Sequence, residues 1–150
     1  MKIRKATVAD FEALQPLYQI FSSRLESIAP DHYVKEYQDF SLFTGIVEHP
    51  AADILVAVGE DGSPLGAVTV WERERPLSPH IKPATSLCVS YMAASDEALY
   101  DELIRAAEKE AISRGIDRLE ISLHEKDVAG RSLCESQGFA PEITTYVRKI

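Results

Sequence analysis

Gly115-Ile116-Asp117-Arg118-Leu119-Glu120-Ile121-Ser122-Leu123, followed by Asp127-Val128-Ala129-Gly130-Arg131-Ser132-Leu133-Cys134-Glu135-Ser136-Gln137-Gly138-Phe139, is the stretch whose reading decides the fold. Leu119, Ile121 and Leu123 alternate with polar residues and mark a strand over 118–123. Upstream, Leu103, Ile104, Ala106, Ala107 and Ala111 recur at helical spacing, so a long helix over 95–114 runs up to the turn residue Gly115. Downstream, 128–137 reads as a short helix, and Gly138-Phe139 brings the chain back.

Working outward, 2–6 alternates as a first strand, and Thr7 with Asp10 opens a helix carrying the stripe Phe11, Leu14, Leu17, Tyr18 and Phe21. Pro16 removes one amide donor inside that helix and is expected to kink it. A second, less regular helical stretch occupies 31–49. A buried-type strand at 54–58, the turn Glu60-Asp61-Gly62-Ser63 and a return strand at 65–71 form a hairpin. Pro76, Pro79 and Pro83 break the chain into a loop before a strand at 85–91, and 143–148 alternates as a closing strand. The expectation is one α/β (α+β mixed) domain over 1–150, with a central mixed sheet of about six to seven strands and helices on both faces.

Composition narrows the function classes. With 45% hydrophobic and 27% charged residues the 150-residue chain is an ordinary globular one, and a net charge of -8 disfavours a nucleic-acid partner, whose phosphates it would repel. No apolar run reaches the ~18 residues that a membrane span needs, and Met1-Lys2-Ile3-Arg4-Lys5 leads into polar sequence. Cys88 and Cys134 read as buried free thiols of a cytoplasmic protein. The histidines His32, His49, His80 and His124 are scattered, so no metal site is expected. A homodimer is compatible with all of this.

The order of elements, the opening Ile3-Arg4-Lys5-Ala6-Thr7-x-x-Asp10 and the 103–139 pattern resemble the GNAT superfamily of N-acetyltransferases over essentially the whole chain. The resemblance implies direct transfer of an acetyl group from acetyl-CoA to an amine, without a metal. It places the pantetheine arm against the strand at 85–91, with Val89 and Tyr91 beside it, in a splay opposite the strand at 118–123. It places the pyrophosphate on backbone amides at the start of the next helix, which in the family opens with Arg or Gln, two residues, Gly, one residue, then Gly or Ala.

Here that hexad is Ser95-Asp96-Glu97-Ala98-Leu99-Tyr100, and no glycine occurs between Gly66 and Gly115. Ser95, Ala98, Leu99 and Tyr100 are the candidate phosphate contacts. Asp96 and Glu97 are expected in the first helical turn, where each stabilises an empty helix N-terminus by ~0.3–1 kcal/mol. The same charges oppose a bound pyrophosphate by about 1–3 kcal/mol per pair at ~6 Å. Asp127 stands where the family commonly has Asn, another candidate cofactor contact. Cys134 stands where the family often has the tyrosine that protonates the departing thiolate. A thiol of pKa ~8.5 suits that proton transfer, but it reaches less far than a tyrosine; a bridging water, Tyr146 or Tyr100 are the alternatives.

Glu120, on the strand face opposite Leu119 and Ile121, is a candidate base acting through water, or else the partner of Arg118 or Arg4. His124 is a strand-end base or plain polar surface. Tyr33, Tyr37, Phe40 and Phe43 either wall an amine pocket or form a core stripe. The reading with the most support is an acetyl-CoA-dependent N-acetyltransferase, acting on a primary amine of a small molecule or peptide, with an atypical cofactor loop. The competing one is a non-catalytic protein of the same fold that binds a ligand or partner. A third is an acyltransferase using a donor without the nucleotide. Met92 or Tyr100 filling the splay would favour the non-catalytic reading.

Overall fold

A computed structural model describes residues 1–35 and 39–150 of the chain. Its elements are β1 (Lys2–Lys5), a short 3-10 turn at Val8–Asp10, α1 (Phe11–Ile28), α2 (Phe40–Glu48), β2 (Ala52–Val58), β3 (Pro64–Glu74), β4 (Thr85–Ala94), α3 (Leu99–Ser113), β5 (Leu119–Ile121) and α4 (Val128–Ser136). Strands β1 to β4 pair antiparallel in chain order, and β5 joins the edge parallel to β4.

The period-two alternation of β2 sorts the core into two layers. Ile54, Val56 and Val58 pack with Leu14, Leu17 and Tyr18 of α1 and with Phe43 and Ile46 of α2. Leu55 and Ala57 face the other way, against Leu103, Ala106, Ala107 and Ala111 of α3. The sheet is thus covered on both faces, as the mixed α/β pattern requires.

Local chemistry sets the ends of the elements. The Asp10 carboxylate accepts the Thr7 amide at 2.7 Å and is gripped by both guanidinium nitrogens of Arg4, at 2.7 and 2.8 Å. Helix α1 continues through Pro16. Gly115, at φ +70°, lets α3 close with the Ile116 amide on Ala111 O (2.9 Å) and its own amide on Ile112 O (3.0 Å), while Ile116 is buried against the α3 core. Gly138 does the same for α4, with the Phe139 amide on Cys134 O at 2.9 Å.

Four expectations are corrected. Among the described residues the sheet has five strands rather than six or seven, because 143–148 forms no strand. The alternation is there, but a strand also needs a hydrogen-bonded neighbour, and none of the described residues provides one. Among the described residues of the second helical stretch, the helix covers Phe40–Glu48, and Tyr37 lies outside the described residues. Helix α3 begins at Leu99 rather than at residue 95, so Asp96 and Glu97 precede it and the acids of its first turn are Asp101 and Glu102. Finally, β4 runs on to Ala94 and carries a bulge: Val70 pairs with Val89 but Thr69 with Tyr91, leaving Ser90 extra.

Candidate functional site

The bulge at Ser90 builds the site. Before it, Leu87 and Val89 face α3; after it, Tyr91 and Ala93 face α1. Val89 and Tyr91, which a simple period of two puts on one face, therefore point to opposite faces. The bulge is also where β5 stops following β4: the last pair is Val89 with Ile121, and Ser90–Ala94 continue without a strand on that side. The Ser95 amide donates to Leu65 O (2.8 Å) in the β3 direction. Alternation along an antiparallel ladder then turns Tyr91 and Ala93 towards β3, and the backbone amides of Met92 and Ala94 outward into the cleft. Met92 and Tyr100 are half-buried and pack against the α3-side core.

Helix α4 is tied to helices on both faces of the sheet. Its start is tied to α1, since Asp127 Oδ1 accepts from Arg24 at 2.7 Å and from the Gly130 amide at 2.8 Å. Its end is tied to α3 by Gln137 Nε2 donating to Asp101 at 2.9 Å. Asp127 is only 3% exposed, and its carboxylate occupies the space where a Cβ on Gly130 would lie 2.5 Å from Oδ2. Its first role in this structure is therefore to cap and anchor α4. Cys134, on α4, is half-buried; burial, then Asp127 and Glu135, push its thiol above the ordinary range. It stays protonated at neutral pH, as a proton donor must.

At the head of α3 the carboxylate of Asp96 accepts the Ala98 amide at 2.9 Å. The Leu99 and Tyr100 amides are taken by Asp96 O and Glu97 O, both at 3.1 Å. The amides expected to meet a pyrophosphate thus already have intramolecular partners, one of them an anion. Ser95, Asp96, Glu97 and Ala98 are all exposed.

Glu120 lies on the α1/α2 face beside Cys88, its ladder partner. It accepts from Ser86 Oγ (2.8 Å), Cys88 Sγ (3.5 Å) and Arg73 (2.8 Å), and Arg118 stands 3.6 Å away, while Arg4 pairs with Asp10 instead. Burial pushes its carboxyl up, but these hydrogen bonds and the Arg73 charge outweigh burial and hold it below the usual range. So satisfied a carboxylate is a weak base. His124 sits with its ring 5.2 Å from His32 and 6.1 Å from Tyr33, and its Nδ1 accepts the Lys126 amide at 3.2 Å. Tyr33 is pushed up by burial and by Asp127. Phe43 is fully buried core, whereas Phe40 is half exposed against Phe11. Tyr146 is 93% exposed on the C-terminal segment.

Sequence reasoning missed Tyr18 and Thr69. Among the described residues, the buried hydroxyls of Tyr18, Tyr91 and Thr69 have no hydrogen-bond partner. The Tyr18 and Tyr91 rings lie 4.6 Å apart beside the bulge, and burial drives both phenols well above the normal tyrosine range. A tyrosine within an apolar helical stripe was the one available signal. A groove of about 480 Å3 lies elsewhere, between α2 and β3, lined by Asp39, Leu42, Ile46, His49 and Trp71.

No protein-family model matches the sequence, and a search of curated proteins found no match. Solved structures do match. A mutant of the BH1408 protein from Bacillus halodurans superposes with a TM-score of 0.90 at 18% identity, over 100% of this chain and 99% of that one. An aminoglycoside antibiotic 6'-N-acetyltransferase from Acinetobacter baumannii matches with a TM-score of 0.72 at 11% identity, over 99% and 97% of the two chains. This is the GNAT acetyltransferase fold. A ribosomal-protein-alanine N-acetyltransferase from Brucella melitensis biovar Abortus 2308 matches with a TM-score of 0.67 at 19% identity, covering 100% of both chains. These GNAT-fold neighbours are named for acceptors as different as an antibiotic and a protein, so the fold leaves the acceptor open. No helix among the described residues is long and apolar enough to cross a membrane.

Proposed function

We propose that this chain is an acetyl-CoA-dependent N-acetyltransferase acting on a primary amine of a small molecule or peptide, with a cofactor site changed at its nucleotide end. The observation that carries the proposal is the cleft: β5 parts from β4 after Val89 while β4 continues to Ala94. Its outward amides at Met92 and Ala94 fit the amide-rich pantetheine arm, which would be flanked by Val89 and Tyr91. Bound acetyl-CoA would supply a thioester-activated acetyl group. The chain's own residues do the rest. Backbone donors orient, Cys134 holds a proton on α4, and the partnerless Tyr18, Tyr91 and Thr69 hydroxyls offer hydrogen bonds beside the bulge. Glu120 and Tyr146 remain candidates for moving a proton through water.

The nucleotide end fits less well. Ser95, Ala98, Leu99 and Tyr100 present backbone rather than glycines, and the Asp96 carboxylate holds the Ala98 amide. This contact favours a second reading, a GNAT-fold protein that binds a ligand or partner without transferring an acyl group. Calorimetric titration with acetyl-CoA and with a pantetheine-only analogue separates the two. Binding that weakens when the nucleotide is removed supports the cofactor assignment, and no heat from either ligand overturns it. Asp96→Ala frees the Ala98 amide and removes a charge worth about 1–3 kcal/mol at ~6 Å, so it should tighten acetyl-CoA roughly ten-fold and leave pantetheine unchanged.

A further inference from the structure

A buried tyrosine ordinarily hydrogen-bonds, because an unpartnered hydroxyl gives up its water for nothing. Among the described residues, the buried side-chain groups without a partner are the hydroxyls of Tyr18, Thr69 and Tyr91. They belong to one place. Thr69 is the ladder partner of Tyr91, and the Tyr18 ring lies 4.6 Å from the Tyr91 ring. Phe21, one turn further along α1, meets Tyr91 edge-on at 4.5 Å. Phenylalanine at 18 and 91 would fill the same space without burying a polar atom. Departures of this kind from simple packing gather at functional positions.

The place is the closed end of the cleft. β5 follows β4 only as far as Val89. The inserted Ser90 is exposed between the buried Val89 and Tyr91, and marks the point where the two strands part. A thioester arm held on the outward amides of Ala94 and Met92 runs from the head of α3 towards Ser90, so its acyl end meets the strand junction. On the α3 side that junction is filled by Val89 and Ile121. On the other side stands Tyr91, 5% exposed, with Tyr18 and Phe21 behind it. The bulge puts Tyr91 there: an unbroken period of two would have sent its side chain to the α3 face with Val89.

The geometry points to Tyr91 as the residue that sets the length of the acyl group, an inference that rests on the acyltransferase reading above. Its ring, braced by Tyr18 and Phe21, is the wall that ends the pocket after the two carbons of an acetyl group. Rings stacked on a helix that is itself packed on the sheet cannot retreat without moving α1, so the wall is stiff. A chain two methylenes longer must overpack it, and loses affinity by a factor of about ten or more.

Calorimetric titration with acetyl, propionyl and butyryl thioesters tests this, each offered both as the CoA and as the pantetheine ester. The pantetheine series leaves Asp96 at the head of α3 out of the comparison. The wild type is expected to hold the acetyl ester at least ~10-fold more tightly than the butyryl ester. Tyr91→Leu should remove most of that difference by improving the butyryl affinity. Phe21→Ala, at a half-buried position that the fold tolerates more readily, should reduce it by letting the Tyr91 ring swing back. Tyr91→Phe keeps the ring and should keep the preference. A merely structural role would weaken all the esters together and leave their ratio unchanged. Equal affinity of the wild type for the three chain lengths overturns the proposal and leaves the acyltransferase reading standing. So does a preference that survives both Tyr91→Leu and Phe21→Ala in folded protein, or one that Tyr91→Phe relaxes as far as Tyr91→Leu does. No heat from any ester of either series overturns the acyltransferase reading, and the wall with it.

Discussion

Replacing Gly130 by Ala should destabilise the protein, although the same change within a helix ordinarily stabilises it by up to ~1 kcal/mol. The reason is steric and electrostatic together. An alanine Cβ would sit 2.5 Å from Asp127 Oδ2 and 2.7 Å from its Cγ, so the carboxylate must move. Moving it breaks the cap on the Gly130 amide and the contact with Arg24. Loss of the cap costs ~1 kcal/mol. Breaking a fully buried ion pair costs ~3–5 kcal/mol; Arg24 is about a third exposed and can follow the displaced carboxylate, so roughly half of that is expected. Set against the propensity gain, the net loss is about 2 kcal/mol, a fall in Tm of ~4–8 °C for a chain of this size. Thermal unfolding followed by circular dichroism measures it. Gly45→Ala is the control: it lies in α2 with nothing within 4 Å of the new Cβ, and should raise Tm. In an Asp127→Ala background the obstacle is gone, and Gly130→Ala should become neutral or stabilising. An equal cost in both backgrounds would refute the reasoning.

Three further outcomes follow from named contacts. Asp10 is held at about 2, below its unfolded ~3.9, chiefly by the Arg4 hydrogen bonds. Its contribution is complete above the unfolded value and is lost as pH falls from about 4 towards 2, so Asp10→Asn should flatten urea stability across that window, and an unchanged slope would contradict this. Arg114 joins Asp53, Glu72 and Glu110 beside Lys5, with Asp53 and Glu110 largely buried. Arg114→Ala should therefore cost about 2–3 kcal/mol in urea unfolding, and Arg114→Lys, lacking the fork, should recover little of it. Alkylation of Cys134 by iodoacetamide in a Cys88→Ser background should reach half its maximal rate above pH ~8.5, because burial raises the thiol; a midpoint at or below that value would show an exposed thiol instead.

What was legible in the sequence was whatever a local pattern encodes. The β2–β3 hairpin, the α3 stripe ending at Gly115 and the α4 turn at Gly138 each depend on residues within a few positions of one another. The bulge at Ser90 was invisible because Leu87, Val89, Tyr91 and Ala93 keep a perfect period of two in sequence while the inserted residue reverses their facing in space. The Arg24–Asp127 anchor spans 103 positions, so Asp127 read as a cofactor contact alone, when both of its structural bonds serve α4. The opposite failure occurred at 143–148. Its alternation is real, but pairing is a property of two segments, and none of the described residues pairs with it.

The two halves of the cleft differ in their physics. At the open edge of β4 the donors are backbone amides, which no substitution other than proline removes; the register of the bulge and the early end of β5 set them, and both are present. At the head of α3 the anion is supplied from within. Asp96 is two residues from the amide it occupies, so it competes at the high effective concentration of an intramolecular group. An incoming phosphate must displace a charge-assisted hydrogen bond of ~1.5–3 kcal/mol. It must also approach Glu97, Asp101 and Glu102, which share that end of the helix. A nucleotide-bearing donor must overcome this local opposition at the head of α3, and a donor carrying the same thioester arm without the nucleotide does not meet it. Asp96 is consequently the residue at which acetyl-CoA use, a smaller donor and loss of transfer part company, because its removal alters the first and leaves the other two unchanged.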